Sequence, residues 1–241
     1  TMSPCVDVEE TMVSIIAPGS WINNFHHTFL GEYDIPYIEQ LRTVKWHPSG
    51  EKPGDPKSYR YSSANPLVLQ FICEAVENKP FGTLLQERVW EKTGFRNPMQ
   101  LHLAPDGMGV GYGMMSTTPE DMLRFAMLHT PSWNKVASER IVTDEMDKIY
   151  RSTARVLTYE GSVEQGYNLE WFGHSPKSQG VMWDCVFEDG AMFKHGNLGQ
   201  GIYVDPKRDF CAMGFGIADN NAGIDYAPGF MRAAAMMLAG G

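Results

Sequence analysis

The chain has no apolar run long enough to span a bilayer, no Lys/Arg-rich stretch, no Cys-x-x-Cys pair and no internal repeat. Each absence closes a class. A membrane-spanning helix needs about 20 consecutive apolar residues, so no membrane span is expected. Lys and Arg number 20 against 29 Asp and Glu, a net charge of -9, and without a basic patch nucleic acid is excluded as a partner. The four cysteines, Cys5, Cys73, Cys185 and Cys211, are too far apart for a zinc motif. The last three sit in apolar runs and read as small buried hydrophobes. His26-His27 is the one histidine pair, but adjacent helical residues do not share a face and no third ligand stands at a usual spacing. The pair reads as surface or substrate-loop histidines, and no metal or other cofactor is expected. The opening Thr1-Met-Ser-Pro-Cys-Val-Asp-Val-Glu-Glu10 carries no targeting pattern and reads like the middle of a longer sequence. Cytoplasm and periplasm both stay open.

What is present is an ordinary globular composition, 43% hydrophobic and 20% charged over 241 residues. One stretch stands out, Asp189 to Pro206: two extended runs flank the glycine-rich corner Gly196-Asn-Leu-Gly-Gln-Gly201. Asp205-Pro206-Lys-Arg-Asp209 is a turn built on proline, and Phe210 to Ile217 reads as the next strand of an antiparallel meander. Lys194 and His195 end an otherwise apolar strand. A Lys beside a glycine-lined edge can hold an anionic group or tune a proton; an exposed Lys on a plain hairpin is the alternative.

Upstream, the patterns are helical. Ser62-Ser-Ala-Asn65-Pro66 sets up a helix from Pro66 to about Val76, with Asn65 as the cap and Pro66 at the first position. It is apolar almost all round and should be buried. Tyr61 precedes its N-terminus, where a polar group feels the positive end of the helix dipole. Asn78-Lys-Pro80 breaks the chain, and a second helix runs from Phe81 to near Gly94. Thr118-Pro119-Glu120-Asp121 and Thr143-Asp-Glu are further helix starts. Gly166 to Phe172 and Val181 to Phe187 read as strands, and Pro228 to Leu238 as a closing helix. Helices first, then a strand meander, then a helix, is an α+β order. The division expected is a mainly helical region over 1–155 and an antiparallel sheet with its helix over 156–241.

Tyr61-Ser62-Ser63 before a buried helix resembles the Tyr-x-Asn or Tyr-x-Ser element of the β-lactamase-like (penicillin-recognising) serine hydrolase superfamily. Lys194-His195-Gly196 resembles its Lys-Thr-Gly strand element. Gly196-Asn-Leu-Gly-Gln-Gly-Ile-Tyr-Val-Asp-Pro206 is similar to a run in the esterase and nylon-oligomer (6-aminohexanoate-oligomer) hydrolase branch. Gly166 to Trp171 and Thr1-Met2 resemble further segments of that branch, in the same order. The resemblance implies a β-lactamase-like fold, an antiparallel sheet flanked by helices plus a helical region. It also implies a mechanism. A Ser in Ser-x-x-Lys attacks a carbonyl and forms an acyl-enzyme, while Lys and the motif Tyr move the proton and two backbone N–H groups hold the oxyanion. Carried onto this chain, Tyr61 is the proton carrier and Ser63 its hydrogen-bonding partner. Lys194 and His195 shape the electrostatics, and the N–H of Asn197 is an oxyanion donor. Gly196, Tyr112 and Trp171 line the substrate side, although core packing explains the two aromatics equally well.

The chain departs from the pattern in its nucleophile. Ser49-Gly-Glu-Lys52 has the spelling, but Pro48, Gly50, Pro53 and Gly54 forbid a helix there. Ser132-Trp-Asn-Lys135 follows the Tyr element, whereas the family's nucleophile precedes it. The expectation is therefore that the nucleophile helix and the first sheet strands lie on an upstream segment outside these residues. A second chain or an N-terminal fragment would then complete the fold, and the chain alone would not be a stably folded monomer. The reading is a serine hydrolase of small-molecule esters or amides. The alternatives are a catalytically incomplete, pseudo-enzyme binding module and a β-lactamase or D,D-peptidase, with His195 in place of Thr weakening recognition of a β-lactam carboxylate.

Overall fold

The structure, a computed structural model, describes residues 10, 12–45, 62–156, 176–216 and 227–239. The chain divides into two compact units, Thr1–Trp90 with Pro98–Thr117, and Glu91–Asn97 with Thr118–Gly241.

The first unit is helical. It contains α1 (Met12–Ile16), α2 (Trp21–Phe29), α3 (Tyr37–Leu41), α4 (Ala64–Glu77) and α5 (Phe81–Leu85), the last widened into a π turn over Gln86–Trp90. A two-residue antiparallel ribbon, β1 (Gln100–Leu101) with β2 (Met115–Ser116), completes it. The core is aromatic: Phe25 and Tyr37 are fully buried with Ile22, Leu67 and Val110, and Trp21 stacks on Phe25 at 4.9 Å. Gln40 is buried on α3, and its amide donates to Thr28 Oγ1 at 2.6 Å and the Ile35 carbonyl at 2.7 Å, which ties α2 to α3.

Helix α4 departs from the sequence expectation in two ways. It begins at Ala64, not Pro66. Ser62 supplies the capping oxygens, with Oγ accepting the Ala64 N–H at 3.3 Å and the carbonyl accepting the Asn65 N–H at 3.2 Å. Pro66 still fits, because the first turn's N–H groups have no intrahelical acceptor to lose. The helix is also buried on one side only. Leu67 and Gln70 face the core, while Val68, Leu69, Ile72 and Val76 are exposed, because the aromatic core occupies only one flank. Cys73 shares the exposed side and is not the buried hydrophobe expected; Cys185 is buried and Cys211 half-buried. The predicted break is where expected: Asn78 takes a left-handed conformation at φ 51°, which Asn tolerates better than most residues. The helix expected from Phe81 to near Gly94 ends at Trp90.

Among the described residues, the second unit is a six-stranded antiparallel sheet with its helices. Helix α6 (Pro119–Met127), a 3-10 turn over Pro131–Lys135 and α7 (Asp144–Arg151) lead into β3 (Arg155–Val156), β4 (Ser178–Gln179), β5 (Cys185–Val186), β6 (Met192–Gly196), β7 (Gln200–Asp205) and β8 (Phe210–Gly214), which pair in sequence order. Helix α8 (Ala227–Ala239) closes the unit. Thr118 and Thr143 cap α6 and α7 as their sequences predict, accepting from the N–H of Asp121 at 3.3 Å and of Met146 at 3.2 Å. The strand expected over Val181 to Phe187 contracts to β5, because Met182 turns the chain at φ 65°. The strand expected to reach Ile217 ends at Gly214, and the one over Gly166 to Phe172 lies outside the described residues.

Alternation along β6 and β7 divides the core. Phe193 and Tyr203 face one way, with Ala235 of α8. Met192 and Val204 face the other, with Ala126 of α6 and Trp183. An ion network closes the α8 side. Arg232 lies 4.1 Å over the Phe187 ring and donates to Asp189 at 3.0 and 3.2 Å. Arg208 donates to Asp189 at 2.7 Å and to Asp205 at 2.8 Å.

Candidate active site

In the first unit the site begins at the head of α4. Ser62 and Ser63 are both buried there, held by the capping turn. Ser63 meets a partner 53 residues away: the Glu10 carboxylate accepts its N–H at 2.5 Å and its hydroxyl at 2.7 Å. Glu10 Oε1 also stands 3.5 Å from His26 Nε2. The His26 ring meets Tyr112 edge-on at 6.0 Å, and the hydroxyls of Tyr112 and Tyr37 are 3.0 Å apart. Burial raises the Tyr112 phenol well above its ordinary range, with the Tyr37 bond and the Glu10 charge adding to the shift. Tyr112 therefore stays protonated and serves as a donor and packing residue, not a base. Tyr61 and Trp171 lie outside the described residues.

In the second unit the site is the β6–β7 hairpin. Lys194 Nζ donates to Asp184 Oδ2 at 2.8 Å and to the His195 carbonyl at 2.9 Å, and the same Asp184 oxygen accepts the His195 N–H at 2.6 Å. Lys194 is thus fixed on its strand, with the Asp184 carboxylate facing its charge. His195 is different. Its ring packs edge-on to Phe193 at 4.6 Å, and burial pushes the imidazole down to about 4, Asp184 opposing and Lys194 adding to the shift. It is neutral at pH 7. Strand alternation explains the contrast: Lys194 points to the Met192 face and His195 to the Phe193 face. The adjacent pair is not a joint cationic site.

The glycines here have a packing reason. A Cβ on Gly196 would come within 2.6 Å of Gln200 Cβ, and one on Gly201 within 2.7 Å of the Phe193 ring. Asn197 opens a 3-10 turn, Asn197–Gly199, between the two strands. Lys194, His195, Gly196 and Asn197 therefore share one hairpin in the second unit, while Ser63 and Tyr112 belong to one cluster in the first.

Three residues at these sites escape a motif reading. Glu10 lies in a stretch with no pattern. His26 reads as half of a surface pair. Asp184 does carry a signal, as the one acid in the apolar run Val181 to Phe187, since a lone acid there needs a partner. Ser132, spelled as a nucleophile, sits on the 3-10 turn, where its hydroxyl donates to Asp209 Oδ2 at 2.6 Å and its N–H to Oδ1 at 2.9 Å. Ser49 and Lys52 lie outside the described residues.

The beta-lactamase family model matches residues 39–219. The chain belongs to the beta-lactamase family, whose members are hydrolases. A solved structure of a protein described as a 6-aminohexanoate-dimer hydrolase from Bacillus anthracis superposes with a TM-score of 0.67 at 19% identity, covering 98% of this chain. The chain spans 59% of the length of that hydrolase. A beta-lactamase from Mycobacterium bovis matches with a TM-score of 0.48 at 19% identity over 78% of this chain and 66% of its own. No curated protein matches the sequence. The first structure shows the fold, the β-lactamase-like arrangement of helices and antiparallel sheet. Among the described residues no helix is long and apolar enough to cross a membrane.

Proposed function

We propose that this protein is a serine hydrolase that cleaves an ester or amide bond of a small molecule through an acyl-enzyme. The observation that carries the reading is the anchored Lys194, bound to Asp184 and the His195 carbonyl on β6, within a chain of a hydrolytic family. A lysine fixed this way is a preorganised positive charge, the kind of group that stabilises a developing oxyanion or lowers the pKa of a neighbouring phenol. In this reading Tyr61 carries the proton, Ser63 is its hydrogen-bonding partner and the N–H of Asn197 is an oxyanion donor. The nucleophile in this reading is a Ser-x-x-Lys serine outside these 241 residues, since Pro48, Gly50, Pro53 and Gly54 break up the Ser49 spelling and Ser132 sits on a 3-10 turn, downstream of the Tyr element, with its hydroxyl bound to Asp209.

The test is intact-mass analysis of the purified protein with and without a fluorophosphonate, followed by assays with a short-chain nitrophenyl ester and a chromogenic cephalosporin. A gain of one phosphonyl adduct and ester cleavage support the reading. Cephalosporin cleavage without ester cleavage moves the activity to a β-lactamase. An unlabelled, inactive protein leaves a binding module of the same fold.

A further inference from the structure

The segment Pro98–Thr117 leaves and rejoins the chain at one carboxylate. Asp121 is buried, and its Oδ1 accepts the Arg96 N–H at 2.9 Å. Its Oδ2 accepts the Asn97 N–H at 2.9 Å, the Asn97 side-chain amide at 3.0 Å and the Thr118 hydroxyl at 3.1 Å. Between these roots the segment is bonded to itself. β1 pairs with β2, and the N–H groups of His102, Ala104 and Val110 go to the carbonyls of Met114, Met108 and His102 at 3.1, 2.8 and 2.9 Å. Gln70 of α4 holds it from outside. Its Nε2 donates to the Gly109 carbonyl at 2.8 Å and its Oε1 accepts the Gly111 N–H at 2.9 Å, as the peptide of a neighbouring strand would. The same Nε2 donates to Glu74 Oε1 at 3.1 Å, which fixes the orientation of the amide. A Cβ on Gly111 would stand 2.3 Å from Gln70 Oε1, so this approach needs glycine. Gly107 at φ 85° and Met114 at φ 59° turn the backbone on either side of the contact. Beneath it, Ala104 and Val110 are buried in one cluster with Ala64 and Leu67 of α4.

We infer that Pro98–Thr117 is a hinged flap over the core side of α4, pinned at its roots by Asp121 and latched at Gly109–Gly111 by Gln70, and that it opens as an intact ribbon to uncover the head of that helix. The bonds within the ribbon survive such an opening. Those of the latch break, together with the bond of Tyr112 to Tyr37 at 3.0 Å and of the His102 ring to the Phe29 carbonyl at 2.9 Å. An opening confined to these contacts costs less than unfolding the whole unit, and a flap with fixed roots gates access to what it covers. The inference stands apart from the hydrolase reading, because opening is read without turnover.

The experiment is hydrogen exchange of the intact protein by NMR, joined to thiol labelling of Ala64→Cys with and without Gln70→Met. In the parent protein the Gly111 N–H, bonded across the latch, should exchange about tenfold faster than the Val110 N–H, bonded within the ribbon, after correction for intrinsic rates. Gln70→Met keeps the length of the side chain and removes the amide donor and acceptor. It should speed labelling at position 64 about tenfold, while the amides of α2 keep their rates. Gly111 and Val110 exchanging in step would mean that the segment comes apart instead of swinging, which overturns the inference. So does labelling at position 64 that Gln70→Met leaves unchanged, or that rises together with exchange across α2, because the unit then opens as a whole. Where Ala64→Cys does not fold, the comparison of Gly111 with Val110 in the parent protein decides alone.

Discussion

Lys194 Nζ and the Asp184 carboxylate stand 2.8 Å apart, and the oxygen they share also takes the His195 N–H at 2.6 Å. One atom thus fixes both the cation and the backbone of the strand that carries it. Asp184→Asn leaves an acceptor for the N–H but removes the charge facing Lys194. It should cost about 1–3 kcal/mol in urea unfolding, and adding Lys194→Met should recover part of that loss by removing the cation that Asp184 faced. A change below about 0.5 kcal/mol in the single variant would mean that the pair contributes nothing to stability.

The Asp189 network makes a second prediction. Burial pushes the Asp189 carboxyl up, but its bonds to Arg232 and Arg208 outweigh that and hold it well below the ordinary carboxylate range. With the folded value depressed, the stabilisation is complete above the unfolded value of about 3.9 and is lost as pH falls through the folded value. Asp189→Asn should cost about 3–5 kcal/mol at pH 7, since Arg232 is left buried and uncompensated. It should also flatten the stability profile below about pH 4. A variant that keeps the wild-type acid limb would show that other carboxylates govern it.

Two histidines set a milder acid effect. His129 packs against the rings of Trp183 at 5.4 Å, Tyr150 at 5.7 Å and Phe125 at 5.8 Å. Burial pushes it down to about 4, with the Arg151 charge adding to the shift, and His195 is held near the same value. An unfolded imidazole titrates near 6.5, so the unfolded chain binds more protons between those values. Stability should be level above about pH 6.5 and fall as pH drops from there towards 4, by up to about 1.4 kcal/mol per pH unit for each histidine. His129→Phe keeps an aromatic ring among the three neighbours and should cut the slope by about half. An unchanged slope would place the protonation elsewhere.

The exposed side of α4 gives a prediction of small effect. Leu69, Ile72 and Val76 are 58%, 52% and 76% exposed. Ile72→Lys and Val76→Lys should each change stability by less than about 0.5 kcal/mol. Losses above about 2 kcal/mol in the intact protein would reveal a covering surface.

What was legible in the sequence followed from local chemistry. Thr118 and Thr143 announced their helices through capping residues and first-turn acids, and Asn78-Lys-Pro80 announced a stop. The β6–β7 hairpin was written in its glycines, and the β7–β8 turn in Asp205-Pro206. The burial of α4 was misread because periodicity reports how apolar a face is, not what lies against it. The Glu10–Ser63 bond spans 53 residues and no local pattern encodes it. The opposite facing of Lys194 and His195 was legible in principle, since it follows from strand geometry alone, yet a three-letter motif treats neighbours as companions.

That opposition carries a genetic consequence. Codons 194 and 195 are adjacent, yet their products answer to separate constraints: one to a carboxylate partner, the other to the aromatic layer beneath α8. Substitutions tolerated at 195 should track changes at Phe193, and those at 194 should track Asp184. Within any set of descendants of this gene, the two neighbouring positions should therefore change in step with different partners.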